Sequence, residues 1–221
     1  MKEVVTMTDV KKNPNLFIAI PTINKQILTF KIIGESPLVV HNWVQKAKRH
    51  MNDIEVQRSR RKNSYIPNPM EEFIESLYWI EGKPTEYTEE AFAAAVQNGA
   101  RFGFPSTVFK SSAVTGGYRS GFTKDKVSVY GMFHINGEMV EIIGTPVMRK
   151  DMIRVANGDS IPRYRGMFPQ WEAMIELTYN ANVVTPEQIV NLFACGGKVC
   201  GIGEWRLEKG GDWGRYRAVA I

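Results

Sequence analysis

Apolar and polar positions alternate most cleanly over residues 172–179, EAMIELTY. Ala173, Ile175, Leu177 and Tyr179 fall on one side, and Glu172, Met174, Glu176 and Thr178 on the other. A period of two marks a half-buried strand. The same period runs through ILTFKII at 27–33, with Leu28, Phe30 and Ile32 on one side and Thr29 and Lys31 on the other, until Gly34 stops it. Strand-like stretches at 126–134 and 138–143 flank Asn136-Gly137, a hairpin signal. Residues 145–157 alternate again, with Ile153 and Val155 on one side, and 216–221 reads as a final strand. Residues 161–168 read as a loop or strand start, 100–104 as a short extended piece, and Phe17 to Pro21 as a short edge strand.

The helical period appears at 70–80, where Phe73, Leu77 and Ile80 share a face. Thr88 caps a short helix over 88–97 that Asn98-Gly99 ends. Pro105-Ser106 opens a helix with Ser106 as cap, Phe109 and Ala113 on one face and Gly116-Gly117 at its close. Thr185-Pro186-Glu187-Gln188 is a capping box, and the helix it starts is expected to end at Gly196. Ser36-Pro37 predicts a helix start leading into Leu38 to Met51 with a basic face. Setting aside the weakly patterned residues 34–99, the order is strand, helix, strands, strand, helix, strand. That is βαββαβ with an extra hairpin. It predicts an α+β fold: a ferredoxin-like (split βαβ, RRM-like) antiparallel sheet with helices on one face, the other open, and a large insertion at 34–99. Residues 1–16 read as a flexible N-terminal arm and 17–221 as one domain.

Charge changes this picture at one place. The 221 residues carry 28 Lys and Arg against 23 Asp and Glu, a net +5. The window 41–62 holds Lys46, Lys48, Arg49, Arg58, Arg60, Arg61 and Lys62 against Asp53 and Glu55, so it matches the whole excess. Localised charge says more than a diffuse surplus. Two readings stand: a solvated basic loop, or a basic finger on nucleic acid. Hydrophobic residues at 43% support a core. Cys195 and Cys200 are too few for a disulfide framework or a zinc site, which fits a reducing cytoplasm. No run of 18 apolar residues exists, so no membrane partner is expected.

Candidate chemistry concentrates near the end. GGKVCGIGEWRLEKGGDWG, residues 196–214, holds seven of the 19 glycines. Lys198, Arg206 and Arg215 border its glycine turns, whose amides can form anion nests. Trp205 and Trp213 can stack on bases or belong to the core. Lys110, beside Phe109 near a helix start, suggests a nearby anion, and Arg119 stands at that helix's end. No phosphate-loop motif occurs, and Gly201-Ile202-Gly203 lacks the third glycine of a dinucleotide fingerprint, so no cofactor is expected. His41, His50 and His134 have no metal-ligand spacing, and the acids form no paired set, so no metal is expected.

Three ordered features resemble the RAMP superfamily (repeat-associated mysterious proteins) of CRISPR systems. Gly34-Glu35-Ser36-Pro37-Leu38 follows the first strand. Phe104-Pro105-Ser106-Thr107-Val108-Phe109-Lys110-Ser111-Ser112 opens a helix. Gly196-Gly197-Lys198-Val199-Cys200-Gly201-Ile202-Gly203-Glu204-Trp205 lies between the last helix and the last strand. The chain is similar to the backbone-forming subunits of CRISPR effector complexes. That resemblance implies binding of single-stranded RNA through its backbone, with subunits stacked along the strand, and CRISPR effector proteins as partners. The second glycine cluster, Gly210-Gly211 and Gly214, departs from the family pattern. The expected site is Lys46, Lys48, Arg49, Arg58, Arg60, Arg61, Lys62, Phe109, Lys110, Arg119, Lys198, Gly201, Gly203, Trp205, Arg206 and Arg215 on single-stranded RNA or DNA. Two alternatives stand beside this non-catalytic binder. One is a metal-independent RNA endonuclease using His41 or His50. The other is a phage interaction protein occupying a subunit position in a defence complex.

Overall fold

The computed structural model describes residues 22–42, 68–154 and 160–221. Among them lie ten strands and five α-helices. The larger sheet contains β1 (Lys25–Gly34), β3 (Trp79–Glu81), β4 (Arg101–Pro105), β5 (Phe133–Ile135), β6 (Met139–Ile143), β9 (Glu172–Asn180) and β10 (Tyr216–Ala220). Its order is β10-β1-β9-β6-β4-β3, with β5 also paired to β9, and every pairing is antiparallel. A smaller antiparallel sheet runs β2 (Leu38–Val40), β8 (Ser160–Phe168), β7 (Val147–Arg154). The fold is α+β and antiparallel.

The alternation read from 27–33 and 172–179 sets the register. Phe30 pairs with Ile175 and Ile32 with Ala173, and all four are fully buried. Their face packs on α3 (Ser106–Arg119) and α5 (Pro186–Val199), with Phe30 edge-on to Phe193 at 4.9 Å. The capping box forms as expected, Thr185 accepting from Gln188 N and the Gln188 side chain from Thr185 N. On the other face of the sheet Ile27, Met174 and Ile143 stay exposed beside the Lys31–Glu172 ion pair.

Besides the helix read over 70–80, which stops at Ser76 and leaves Ile80 on β3, four expectations need correction. Helix α5 does not end at Gly196; it runs to Val199, with Gly196 and Gly197 buried inside it. Helix α3 likewise continues past Gly116-Gly117 to Arg119, and Ser106 is its buried first residue and not its cap. The reason is a close helix crossing. A Cβ on Gly116 would stand 2.5 Å from the Gly196 Cα, and one on Gly197 would lie 1.9 Å from the Tyr216 carbonyl oxygen. These glycines serve contact, not termination.

Third, 126–134 is not one arm of a hairpin. Asp125 accepts from the Val127 and Ser128 amides and starts helix α4 (Lys126–Met132), so the cap wins over the alternation of Val127 and Val129. β5 and β6 flank Asn136-Gly137 but each pairs with β9, not with the other. Fourth, Leu38–Val40 is a strand and not a helix start. Its three apolar side chains are buried at 0–1% exposure, and the strand pairs with β8. β-branched residues fit such a slot.

Within 69–105, α1 (Pro69–Ser76) and α2 (Glu89–Gln97) alternate with β3 and β4, which extend the larger sheet. Ser76 ties α1 to the smaller sheet: its hydroxyl donates to Phe73 O at 2.6 Å and accepts from Gly166 N at 2.7 Å. Phe17–Pro21 and most of the basic window lie outside the described residues.

Candidate nucleic-acid interface

The loop after α5 is a tightly hydrogen-bonded structure. The amides of Gly201, Ile202, Glu204, Glu208, Lys209, Gly210, Gly211, Trp213 and Gly214 all donate to backbone carbonyls, and Arg215 N donates to Ser36 Oγ at 2.9 Å. These amides are committed and not free to cradle an anion, so at these positions the loop offers side chains in place of an amide nest. Ile202 is its fully buried anchor. Gly214 sits at φ 65°, where a Cβ would fall 1.8 Å from Ile202 O. Trp205 holds φ 57° without being glycine and leaves its indole 48% exposed.

The same loop is stapled to the first glycine-proline segment. Glu204 N donates to Val39 O at 2.9 Å, Gly214 N to Pro37 O at 2.8 Å, and Glu35 N to Arg215 O at 2.8 Å. Trp171 closes the other side, its Nε1 donating to Ser36 O at 2.9 Å over Gly34, where a Cβ would meet the indole at 2.3 Å. The chain enters the basic window directly after this contact, at His41 and Asn42.

The opening turns of α3 meet the loop in a shallow recess lined by Thr107, Val108, Ser111, Gly201, Arg206 and Glu208. No side chain among the described residues caps α3, so the partial positive charge of its first turn lies at the recess. Two guanidiniums converge on Glu208. Arg206 reaches Oε2 through Nε and a terminal nitrogen at 3.1 and 3.0 Å, and also donates to Gly203 O at 3.1 Å. Arg119, from the end of α3, reaches Oε1 at 3.2 Å. One carboxylate against two cations leaves the group at +1. The Arg119 and Glu208 side chains are 43% and 26% exposed, so the pairs add little stability but hold both guanidiniums at the recess rim. Beneath, Tyr216 OH donates to Ser112 Oγ at 3.0 Å, and burial drives the phenol's pKa far up. Burial also raises the Cys200 thiol.

The structure thus gathers Arg119, Gly201, Gly203 and Arg206, with Trp205 on the same loop, while Phe109 and Lys110 turn elsewhere. Phe109 is fully buried, ringed by Phe104 and Tyr216, and has no surface to offer a strand. Lys110 turns to α4, with Nζ 5.8 Å from the Tyr130 ring centroid and 5.4 Å from that of Phe133; burial lowers its pKa. Lys198 is exposed on the last turn of α5. Arg215 pairs with Asp212 at 3.1 Å. Lys46, Lys48, Arg49, Arg58, Arg60, Arg61, Lys62 and His50 lie outside the described residues. His41 follows β2, and its carbonyl accepts from Tyr78 OH at 3.0 Å.

Two features escaped the sequence reading. Glu208 is the hub of the recess, three residues beyond a tryptophan and without a spacing signal. Arg149 lies over Trp213, its Cζ 4.3 Å from the ring centroid. The pattern Arg149-Lys150-Asp151 facing Arg163-Tyr164-Arg165 could have signalled a basic hairpin, but only pairing shows it. Among the described residues no group of three or more His, Cys, Asp and Glu side chains could hold a metal ion. No helix among them is long and apolar enough to cross a membrane.

No protein-family model matches the chain, and no curated protein matches it. Among solved structures, the crystal structure of Cmr6 from Pyrococcus furiosus is similar at 13% identity and a TM-score of 0.34, covering 90% of this chain and 100% of that chain. A likeness at that level carries no functional argument.

Proposed function

We propose that the chain binds single-stranded nucleic acid through its backbone, RNA in preference to DNA, without catalysis and without reading sequence. The observation that carries this is the recess where α3 meets the glycine loop, with Arg119 and Arg206 sharing Glu208. Shared between two cations, that carboxylate leaves a net positive charge at a surface lined by the Thr107 and Ser111 side chains, which suits a phosphate and offers no base code. The loop's staples to residues 35–39 add support, because the basic window starts just beyond them. The strand order β10-β1-β9-β6 with α3 and α5 on one face supports reading the larger sheet as a ferredoxin-like split βαβ core. The three sequence features that resemble the RAMP superfamily fall on the loop, on the opening of α3 and on the segment stapled to the loop. One RAMP-like domain with an insertion at 34–99, stacking along the strand, completes the proposal.

The test is fluorescence anisotropy with labelled 15-nucleotide homopolymers of RNA and DNA across a salt series. Binding should weaken steeply with salt, with similar affinity for different base compositions. Absence of binding to every single strand at ~50 mM salt removes the proposal. Sedimentation of the complex separates a stack from a single bound copy.

A further inference from the structure

A second cationic group lies on β7 and β8, outside both the basic window and the recess. Arg149 and Arg165 are directly opposite each other in the strand register. Like charges so placed repel, and both turn to one carboxylate. Asp151 stands two residues beyond Arg149, on the same face. Arg149 Nε donates to Asp151 Oδ1 at 2.8 Å, while a terminal nitrogen of Arg165 reaches Oδ2 only at 3.5 Å. Arg165 is 6% exposed, and its Nε has no hydrogen-bond partner among the described residues. A buried cation is ordinarily matched by partners because desolvation is costly. Arg163, directly opposite Asp151, is answered by Glu72 at 3.0 Å, so one negative charge is left to answer the two positive ones, and a buried donor is left over.

Arg149 is the exposed member of the group, its side chain 29% accessible. The Trp213 indole supports one face of its guanidinium, and Asp151 fixes its Nε edge. The terminal nitrogens of Arg149 have no partner among the described residues. A guanidinium held in place on two sides loses little freedom on binding, and its planar fork matches phosphate oxygens. Trp213 is bridged to Arg206 along the backbone, so the indole under Arg149 and the Arg206 of the recess stand on the two arms of one loop.

We propose that Arg149, stacked on Trp213, takes one backbone phosphodiester of the single strand, next along its path from the Arg206 recess. Arg165 is a positioning residue: its buried charge occupies half of Asp151 and keeps that carboxylate from cancelling Arg149. The site rests on the single-strand binding proposed above.

The test compares wild type with Arg149→Gln, Arg165→Met and Arg101→Gln, using a labelled 15-nucleotide oligouridylate from ~50 to 200 mM salt. Arg101 lies on β4, paired with Glu141, and is the control that removes the same charge elsewhere. Arg149→Gln should weaken binding about tenfold and lower the magnitude of the salt slope by about 0.7, one phosphate contact on a single strand. Arg165→Met should do the same while keeping the wild-type melting curve, since an apolar side chain replaces a poorly paired buried ion. A merely structural arginine would lower the melting temperature and leave the slope alone. Equal losses for Arg101→Gln and Arg149→Gln assign the effect to net charge and overturn the site. So does wild-type affinity in Arg149→Gln, which leaves the broader binding proposal standing. Failure of wild type to bind the oligonucleotide overturns both. A parallel melt with inorganic phosphate distinguishes the source: Arg149-dependent stabilisation by free phosphate, with oligonucleotide affinity unchanged, also overturns the strand assignment.

Discussion

Substituting Gly116 by alanine places a methyl group between two helix backbones. Its Cβ would lie 2.5 Å from the Gly196 Cα and N and 2.7 Å from the Cys195 carbonyl carbon. Ordinary carbon contacts begin near 3.5 Å, so α3 and α5 must separate by roughly 1 Å. None of the clashing atoms is the tip of a flexible side chain. Overpacking of this kind costs about 1–3 kcal/mol, and more where backbone must move. Alanine's better helix propensity returns about 1 kcal/mol. The clash is the larger effect because backbone must move, and a net loss of about 1–2 kcal/mol follows. For a chain of this size that lowers the melting temperature by about 2–8 °C. Gly131 in α4 is the contrasting case, because a Cβ added there would meet nothing within 4 Å. Gly131→Ala should therefore gain up to about 1 kcal/mol by propensity alone. Thermal and urea melts of both variants give the two signs side by side. A Gly116→Ala protein as stable as wild type, or a Gly131→Ala protein equally damaged, would refute the helix crossing.

Other outcomes follow from the same geometry. Tyr216 is fully buried and its pKa is raised above 10.0 by burial. Its contribution is complete below pH 10 and is lost as pH rises further, by up to about 1.4 kcal/mol per pH unit. Tyr216→Phe should flatten that alkaline slope while costing about 1 kcal/mol at neutral pH through the lost bond to Ser112, both read from urea midpoints between pH 7 and 11. Thr185→Ala breaks the capping box of α5 and should cost about 1 kcal/mol in the same assay. Glu208→Gln removes the carboxylate that Arg119 and Arg206 share and should tighten single-strand binding several-fold at low salt, roughly the worth of one charge. Arg206→Ala should loosen binding and lower the salt slope, and an unchanged slope takes the recess out of the interface.

Much of the frame was readable because its signals are local. The alternation of Ala173, Ile175, Leu177 and Tyr179 is the register of β9, and Thr185-Pro186-Glu187-Gln188 is the cap of α5. What failed was set by contacts between distant segments. Gly196 and Gly197 look like a helix stop in isolation, yet Gly116 and Tyr216 approach so closely that only glycine fits within the helix. Asp125 outweighs the strand-like Val127 and Val129 because its carboxylate satisfies two first-turn amides. At the interface, Arg206 and Arg119 were visible as charges, but Glu208, 89 positions from Arg119, became their shared partner only through the fold. Phe109 shows the opposite error: its place beside Lys110 suggested a surface role, while the helical period that pairs it with Ala113 already pointed to the core it occupies.

The affinity of the purified, nucleic-acid-free chain for a 15-nucleotide RNA, measured against salt, bears on the whole account. The expected result is tight binding at ~50 mM salt with a linear fall in log affinity as log salt rises, its slope reduced by about 0.7 for each of Arg119, Arg149 and Arg206 removed. No binding at any salt, or binding indifferent to salt and to those three arginines, would contradict it.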